Sequence, residues 1–110
     1  MGISKTTHYS KKQNDIAIIA KAMGHPARLA IIEYLIKVDA CICGDIVNAL
    51  PLAQATISQH LKELKNAHII QGNIEGNAIC YCINKSTIEK YKKYIDTISS
   101  KINSPLETCC

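Results

Sequence analysis

The sequence of 110 residues contains no tryptophan and no phenylalanine. Any core must therefore be aliphatic, built mainly from Ile, Leu and Ala, with tyrosines at its edges. A core this thin in aromatics, in a chain this short, points to completion by a second copy. No run is long and apolar enough for a transmembrane helix or a signal-peptide core, so no membrane partner and a cytoplasmic location are expected. Internal repeats, low-complexity blocks and linkers are also missing, which leaves one domain. There is no C-x-x-C, which argues against a thioredoxin-like site. What is present is a chain that is 47% hydrophobic, too apolar for a disordered one. Its net charge of +4 suits nucleic acid without proving it. The opening "MGISKT" fits a myristoylation pattern and "NKS" a glycosylation one; both are short and are taken as chance matches.

Residues 1–12 carry Lys5, His8, Lys11 and Lys12 and no acid, and read as a basic arm. From Gln13 to Met23, Ile16, Ile19, Ala20 and Met23 recur at helical spacing. Gly24 closes this first helix and Pro26 opens a second, whose stripe is Leu29, Ile32, Leu35 and Ile36. "VDACIC" looks extended. "DIVNAL", with Asp45 near its positive end, predicts a short third helix that Pro51 stops. "AQATISQHLKELKNA" predicts a fourth helix with Ile57, Leu61 and Leu64 inward.

The period then changes to two. "IIQGNI" and "AICYCI" flank "EGN", a β-hairpin in which Gly76 and Asn77 supply the turn. Ile79, Tyr81 and Ile83 form its inward face, which leaves Cys80 and Cys82 together on the other as small sheet residues. "STIE" reads as a capping box, Ser86 to Glu89, opening the last helix. There Ile88, Tyr91, Ile95, Ile98 and Ile102 follow at coiled-coil spacing. One subunit has little left to cover both this seam and Ile16 and Ile19 of the first helix, so a dimer interface is expected there. The domains are a basic arm (1–12), a DNA-binding and dimerisation domain (13–102) and a cysteine tail (103–110). The fold is mainly α with a β-hairpin wing, in the order helix, helix, helix, helix, strand, strand, helix.

That order is one in which a helix enters the DNA major groove while a hairpin wing touches the neighbouring backbone. The fourth helix is the candidate reader. Thr56, Ser58, Gln59, His60 and Lys62 offer compact polar groups for base edges or phosphates, and Lys62 and Lys65 add positive potential. "SQHLKEL" alone is equally compatible with a solvated helix face.

"AKAMGHPARLAIIEYL", followed by "TISQHLKELKNAHII" and then "GNAICYCI", resembles the ArsR family of bacterial winged-helix repressors over roughly residues 15 to 100. The resemblance implies a homodimer joined through its first and last helices, bound to a palindromic operator and released by a metal ion, a metalloid or an oxidant. By position, Ser58, Gln59 and His60 inherit the DNA-reading role, and Gly76 and Asn77 the wing tip. Three residues depart from the family pattern. Ala53 stands where a capping Ser is common, Ala55 where Pro is common, and His68 where Gly usually follows the fourth helix. A His tolerates a left-handed backbone well enough to keep that turn.

The six cysteines fall in pairs: Cys41/Cys43, Cys80/Cys82 and Cys109/Cys110. In a reducing compartment such pairs favour metal binding or redox sensing over structural disulfides. Many relatives carry Cys-Val-Cys-Asp-Leu ahead of the third helix. Here "CICGDI" inserts Gly44, which shifts the match by one. The family's zinc site on the last helix is absent, because no His lies between Ser86 and Lys101. Soft thiolates suit arsenite or antimonite, which take three sulfurs. Cys109 and Cys110 with Cys41 or Cys43 are therefore the candidate metalloid ligands, with As(III) or Sb(III) as effector and no cofactor needed for folding. A redox or persulfide sensor on the same scaffold is the alternative. A small thiol enzyme is disfavoured because no anion-binding Gly-rich loop surrounds a cysteine, and tetrathiolate zinc because C-x-C and C-C spacings fit it poorly.

Overall fold

The computed structural model describes residues 8–38, 42–43, 50–75 and 78–102. They form α1 (Lys11–Met23), α2 (Pro26–Val38), β1 (Ile42–Cys43), α3 (Gln54–Asn66), β2 (Ile70–Glu75), β3 (Ala78–Ile83) and α4 (Lys85–Lys101). The short helix expected over "DIVNAL", the hairpin tip Gly76–Asn77, Cys41 and the tail with Cys109 and Cys110 lie outside the described residues.

The first helix starts earlier than the apolar spacing predicts. Ser10 caps it: its hydroxyl accepts from the Gln13 N–H and the Gln13 side chain accepts from the Ser10 N–H, so Lys11 and Lys12 are helical. Ala22, not Ala20, completes its buried stripe with Ile16 and Ile19. In α2 the buried residues are Ile31, Ile32 and Leu35, while the expected Leu29 and Ile36 are exposed. This helix is apolar on most of its circumference, so spacing alone could not choose its inner face.

The core is aliphatic, as the composition requires. Ile16, Ile19 and Ala22 of α1 meet Ile31, Ile32 and Leu35 of α2, Ile57, Leu61 and Leu64 of α3, then Ala67, Ile69 and Ile70. Tyr34, Tyr81, Tyr91 and Tyr94 sit at its margin, half-buried. Helix α3 ends at a tight corner where His68 adopts φ 62°, the left-handed conformation expected of the residue in a glycine's place.

The sheet is antiparallel, in the order β1-β3-β2. Its hairpin register runs from Ile70 opposite Ile83 to Glu75 opposite Ala78, and β1 adds Ile42 opposite Tyr81 and Cys43 opposite Cys80. Cys80 is fully buried, and both Cys80 and Cys82 are disulfide-bonded, which corrects their reading as small sheet residues only.

Helix α4 is capped by Asn84 rather than by the Ser86–Glu89 box. The Asn84 Oδ1 accepts from the Ser86 N–H at 3.2 Å and from its hydroxyl at 3.1 Å. The Asn84 N–H donates to the Ile69 carbonyl at 2.9 Å, which fixes where α4 leaves the hairpin. Helices α1 and α4 pack together. Asp15 binds Lys11 on its own helix at 2.9 Å and Lys90 on α4 at 3.0 Å, and these two lysines hold its carboxyl below the usual carboxylate range.

Candidate nucleic-acid interface

Helix α3 divides cleanly. Ile57, Leu61 and Leu64 anchor one face in the core, at the i, i+4, i+7 spacing of an amphipathic helix. Thr56, Ser58, Gln59, Lys62 and Lys65 are exposed on the remainder. A backbone held rigidly by buried Ile and Leu thus presents short hydroxyl, amide and ammonium groups outward from one helix, chemistry suited to base edges and phosphates. Ala53 occupies the N-cap with φ −66° and ψ 148° and makes no side-chain capping bond. The N-cap residue therefore brings no hydroxyl or carboxylate to the first-turn N–H groups, and the positive helix end is suited to a phosphate oxygen. Gln59 donates from Nε2 to Glu63 Oε2 at 3.1 Å. This bond orients the Gln59 amide one turn along the helix and leaves its second N–H and its carbonyl oxygen for other partners.

His60 is placed differently from the other expected reading residues. It is only 8% exposed. Its Nδ1 accepts from Arg28 Nε at 3.1 Å, so its ring proton belongs on Nε2. Its ring lies 4.5 Å from that of His25, tilted by 56°. Burial chiefly, then the neighbouring His25 and Arg28 charges, push its pKa below the ordinary histidine range, against a weaker opposite pull from Glu63. His60 is therefore a neutral joint between α2 and the reading helix.

Arg28 is the functional residue that sequence reasoning misses. Besides His60 it reaches the Ala22 carbonyl at the end of α1, at 3.3 Å from Nη1. The His25 Nδ1 accepts the Ala27 N–H at 3.0 Å and so caps the start of α2. The signal is in "GHPAR": an arginine two residues after a proline that opens a helix, and the chain's single arginine. It joins three helices instead of facing solvent, which leaves charge contacts from α3 to Lys62 and Lys65.

The expected dimer residues divide into two sets. Ile16 and Ile19 are covered by the chain's own core, and Ile88 and Tyr91 are half-buried against it. Ile95 and Ile98 of α4 and Ile102 at its C-cap are exposed. Among the described residues no group of three or more His, Cys, Asp or Glu side chains could hold a metal ion, and no helix is long and apolar enough to cross a membrane. Of the proposed thiolate ligands, only Cys43 is a described residue, at the end of β1.

A family model described as bacterial regulatory protein, arsR family, matches residues 25–71, the span from His25 through α3 to the start of β2. The transcriptional repressor PagR of Bacillus anthracis is 36% identical over 76% of this chain and 84% of its own length. The arsenical resistance operon repressor of Staphylococcus xylosus is 26% identical over 78% of this chain and 82% of its own. Among solved structures, the homodimeric winged helix-turn-helix DNA-binding domain of Mb0332 from Mycobacterium bovis superposes with a TM-score of 0.65, covering 94% of each chain at 19% identity.

Proposed function

Because the chain belongs to the arsR family of bacterial regulatory proteins, we propose that it is a transcriptional repressor that binds a palindromic operator in double-stranded DNA as a homodimer. The observation that carries this reading is helix α3, with Ile57, Leu61 and Leu64 locked in the core and Thr56, Ser58, Gln59, Lys62 and Lys65 exposed. The corner at His68 sends the chain from that helix directly into the hairpin. The hairpin is the wing, with Gly76 and Asn77 as its tip. The exposed Ile95, Ile98 and Ile102 are the apolar surface a second copy covers.

The effector is a thiophilic one, most simply As(III) or Sb(III). Cys109 and Cys110 supply two thiolates and Cys41 or Cys43 the third. Its chemistry fits the cysteine pairs, and the S. xylosus relative carries an arsenical name. The effector releases DNA only by binding the DNA-incompetent geometry more tightly than the competent one.

The test is a fluorescence-anisotropy titration of the full, reduced chain on DNA from upstream of its own gene, with and without arsenite. Binding should weaken steeply with salt, and Lys62→Ala should lower the slope of log K against log salt by about 1, the share of a single phosphate. One equivalent of arsenite should release the DNA and protect Cys109, Cys110 and one of Cys41 or Cys43 from alkylation. Salt-insensitive binding would refute the DNA reading. Alkylation of all six cysteines at an unchanged rate would refute the arsenite reading alone.

A further inference from the structure

Strand β1 raises a separate question about thiols. It is two residues long, at the edge of the sheet, and one of the two is Cys43. Its antiparallel register sets Cys43 directly opposite Cys80. Residues directly opposed in such a pair share a face, with Cα atoms about 4.5–5.5 Å apart, inside the range a disulfide spans. Cys80 and Cys82 are both disulfide-bonded, yet they cannot be partners of each other on an extended strand. Residues two apart there lie almost 7 Å apart at Cα with parallel side-chain directions, which a disulfide does not bridge. On the β2 side Cys80 faces Asn73, so the facing cysteine in its register is Cys43.

We propose that Cys43 and Cys80 form a reversible cross-strand disulfide, a redox modification site at the base of the wing and distinct from the tail cysteines. Two backbone pairings are too few to hold an edge strand alone, so the covalent link decides whether β1 stays on β3. Strand β1 precedes α3 in the chain, and β3 is half of the hairpin. Closing the bond therefore fixes β1, and with it the start of the segment that precedes α3, to the hairpin, and opening it releases that anchor.

The oxidant is a small-molecule disulfide such as oxidised glutathione. Cys80 is fully buried and does not meet a solution oxidant first. The Cys43 thiolate attacks one sulfur of the oxidant, forms a mixed disulfide and expels one small thiol. Cys80, having lost its proton, then attacks Cys43 sulfur and expels the second. Two protein thiols lose two electrons and two protons, and one small disulfide becomes two small thiols.

The test equilibrates the full-length chain in glutathione buffers from reducing to oxidising, quenches with acid and alkylator, and maps linked peptides by mass spectrometry. A Cys43–Cys80 peptide should appear reversibly along the series. The Cys109→Ser/Cys110→Ser variant should keep it and Cys43→Ser should lose it. The oxidised wild type should melt about 10 °C above the reduced form and differ from it at least threefold in DNA affinity, a difference absent from Cys43→Ser. Absence of the linked peptide from wild type, or Cys80 linked elsewhere, overturns the pairing without needing any variant to fold. A linked peptide with identical DNA affinity in both forms overturns the switch. Neither result depends on arsenite.

Discussion

The side chains that tie α3 to its neighbours are not those on its exposed polar face. Arg28 bonds His60 on α3 and the Ala22 carbonyl on α1. Replacing it with Ala leaves His60 Nδ1 part-buried without its donor, at a cost of about 1–3 kcal/mol. Thermal melts of Arg28→Ala should show a fall of roughly 5–15 °C for a domain of this size. His60 makes a second, pH-dependent prediction. Its folded pKa is lowered, so between that value and the unfolded one, about 6.5, the unfolded chain binds the proton and the native chain does not. Stability is therefore complete above about pH 6.5 and is lost as pH falls through the folded pKa of His60. Urea titrations across this range should show the midpoint dropping on acidification, and His60→Gln should flatten the drop. His25, Arg28 and Glu63 are the charged or titratable groups acting on this ring. The sequence marks Arg28 as unusual in "GHPAR", but not its pairing with His60. Arg28 and His60 are 32 positions apart, and His60 adjoins Gln59 in a run of polar residues that looks solvated throughout.

The elements were legible in proportion to how sharply their two faces differ. In α3, apolar Ile57, Leu61 and Leu64 alternate with polar neighbours, and the spacing identified its core face correctly. The hairpin's strands were equally plain, because their period of two is interrupted only at the turn, but not their faces: Cys80, expected on the outer one, is fully buried. In α2, with Leu29, Ile31, Ile32, Leu35 and Ile36 all apolar, the choice fell to tertiary packing, which left Leu29 and Ile36 outside. Helix starts turned on single hydrogen bonds: Ser10 with Gln13 for α1, Asn84 with Ser86 for α4. The start of α3 supplies a prediction of the opposite sign. Ala53 already has the extended N-cap backbone but no acceptor. Ala53→Ser should add a cap worth about 1 kcal/mol and raise the melting temperature by roughly 4–8 °C. A hydroxyl bonded there also competes with phosphate for the same N–H groups, so anisotropy titrations should show operator affinity unchanged or lower.

At the scale of the whole molecule, the exposed apolar row with coiled-coil spacing runs along α4 to its C-cap, while Ile18 of α1 and Leu29 and Ile36 of α2 are exposed as well. Ile95, Ile98 and Ile102 recur at spacings of three and four and are each 40% or more exposed. Ile95→Glu should leave the fold intact, since this side chain lies outside the core cluster, while sedimentation velocity shows a monomer in place of a dimer. Operator affinity should then fall at least a hundredfold, because each half-site is bound without its neighbour. A monomeric wild type would remove the palindromic-operator reading. The seam was visible in the sequence. What was not is that Ile16 and Ile19, expected to join it, are buried in the chain's own core.

Arg28 belongs to this scale as well. One guanidinium, carried by α2, holds the end of α1 and the inner side of α3. A gene carrying a lesion there would pass, in a screen for constitutive expression, as a mutant in operator recognition. Suppressors of such an allele should map to the interior, among residues that never meet a nucleotide.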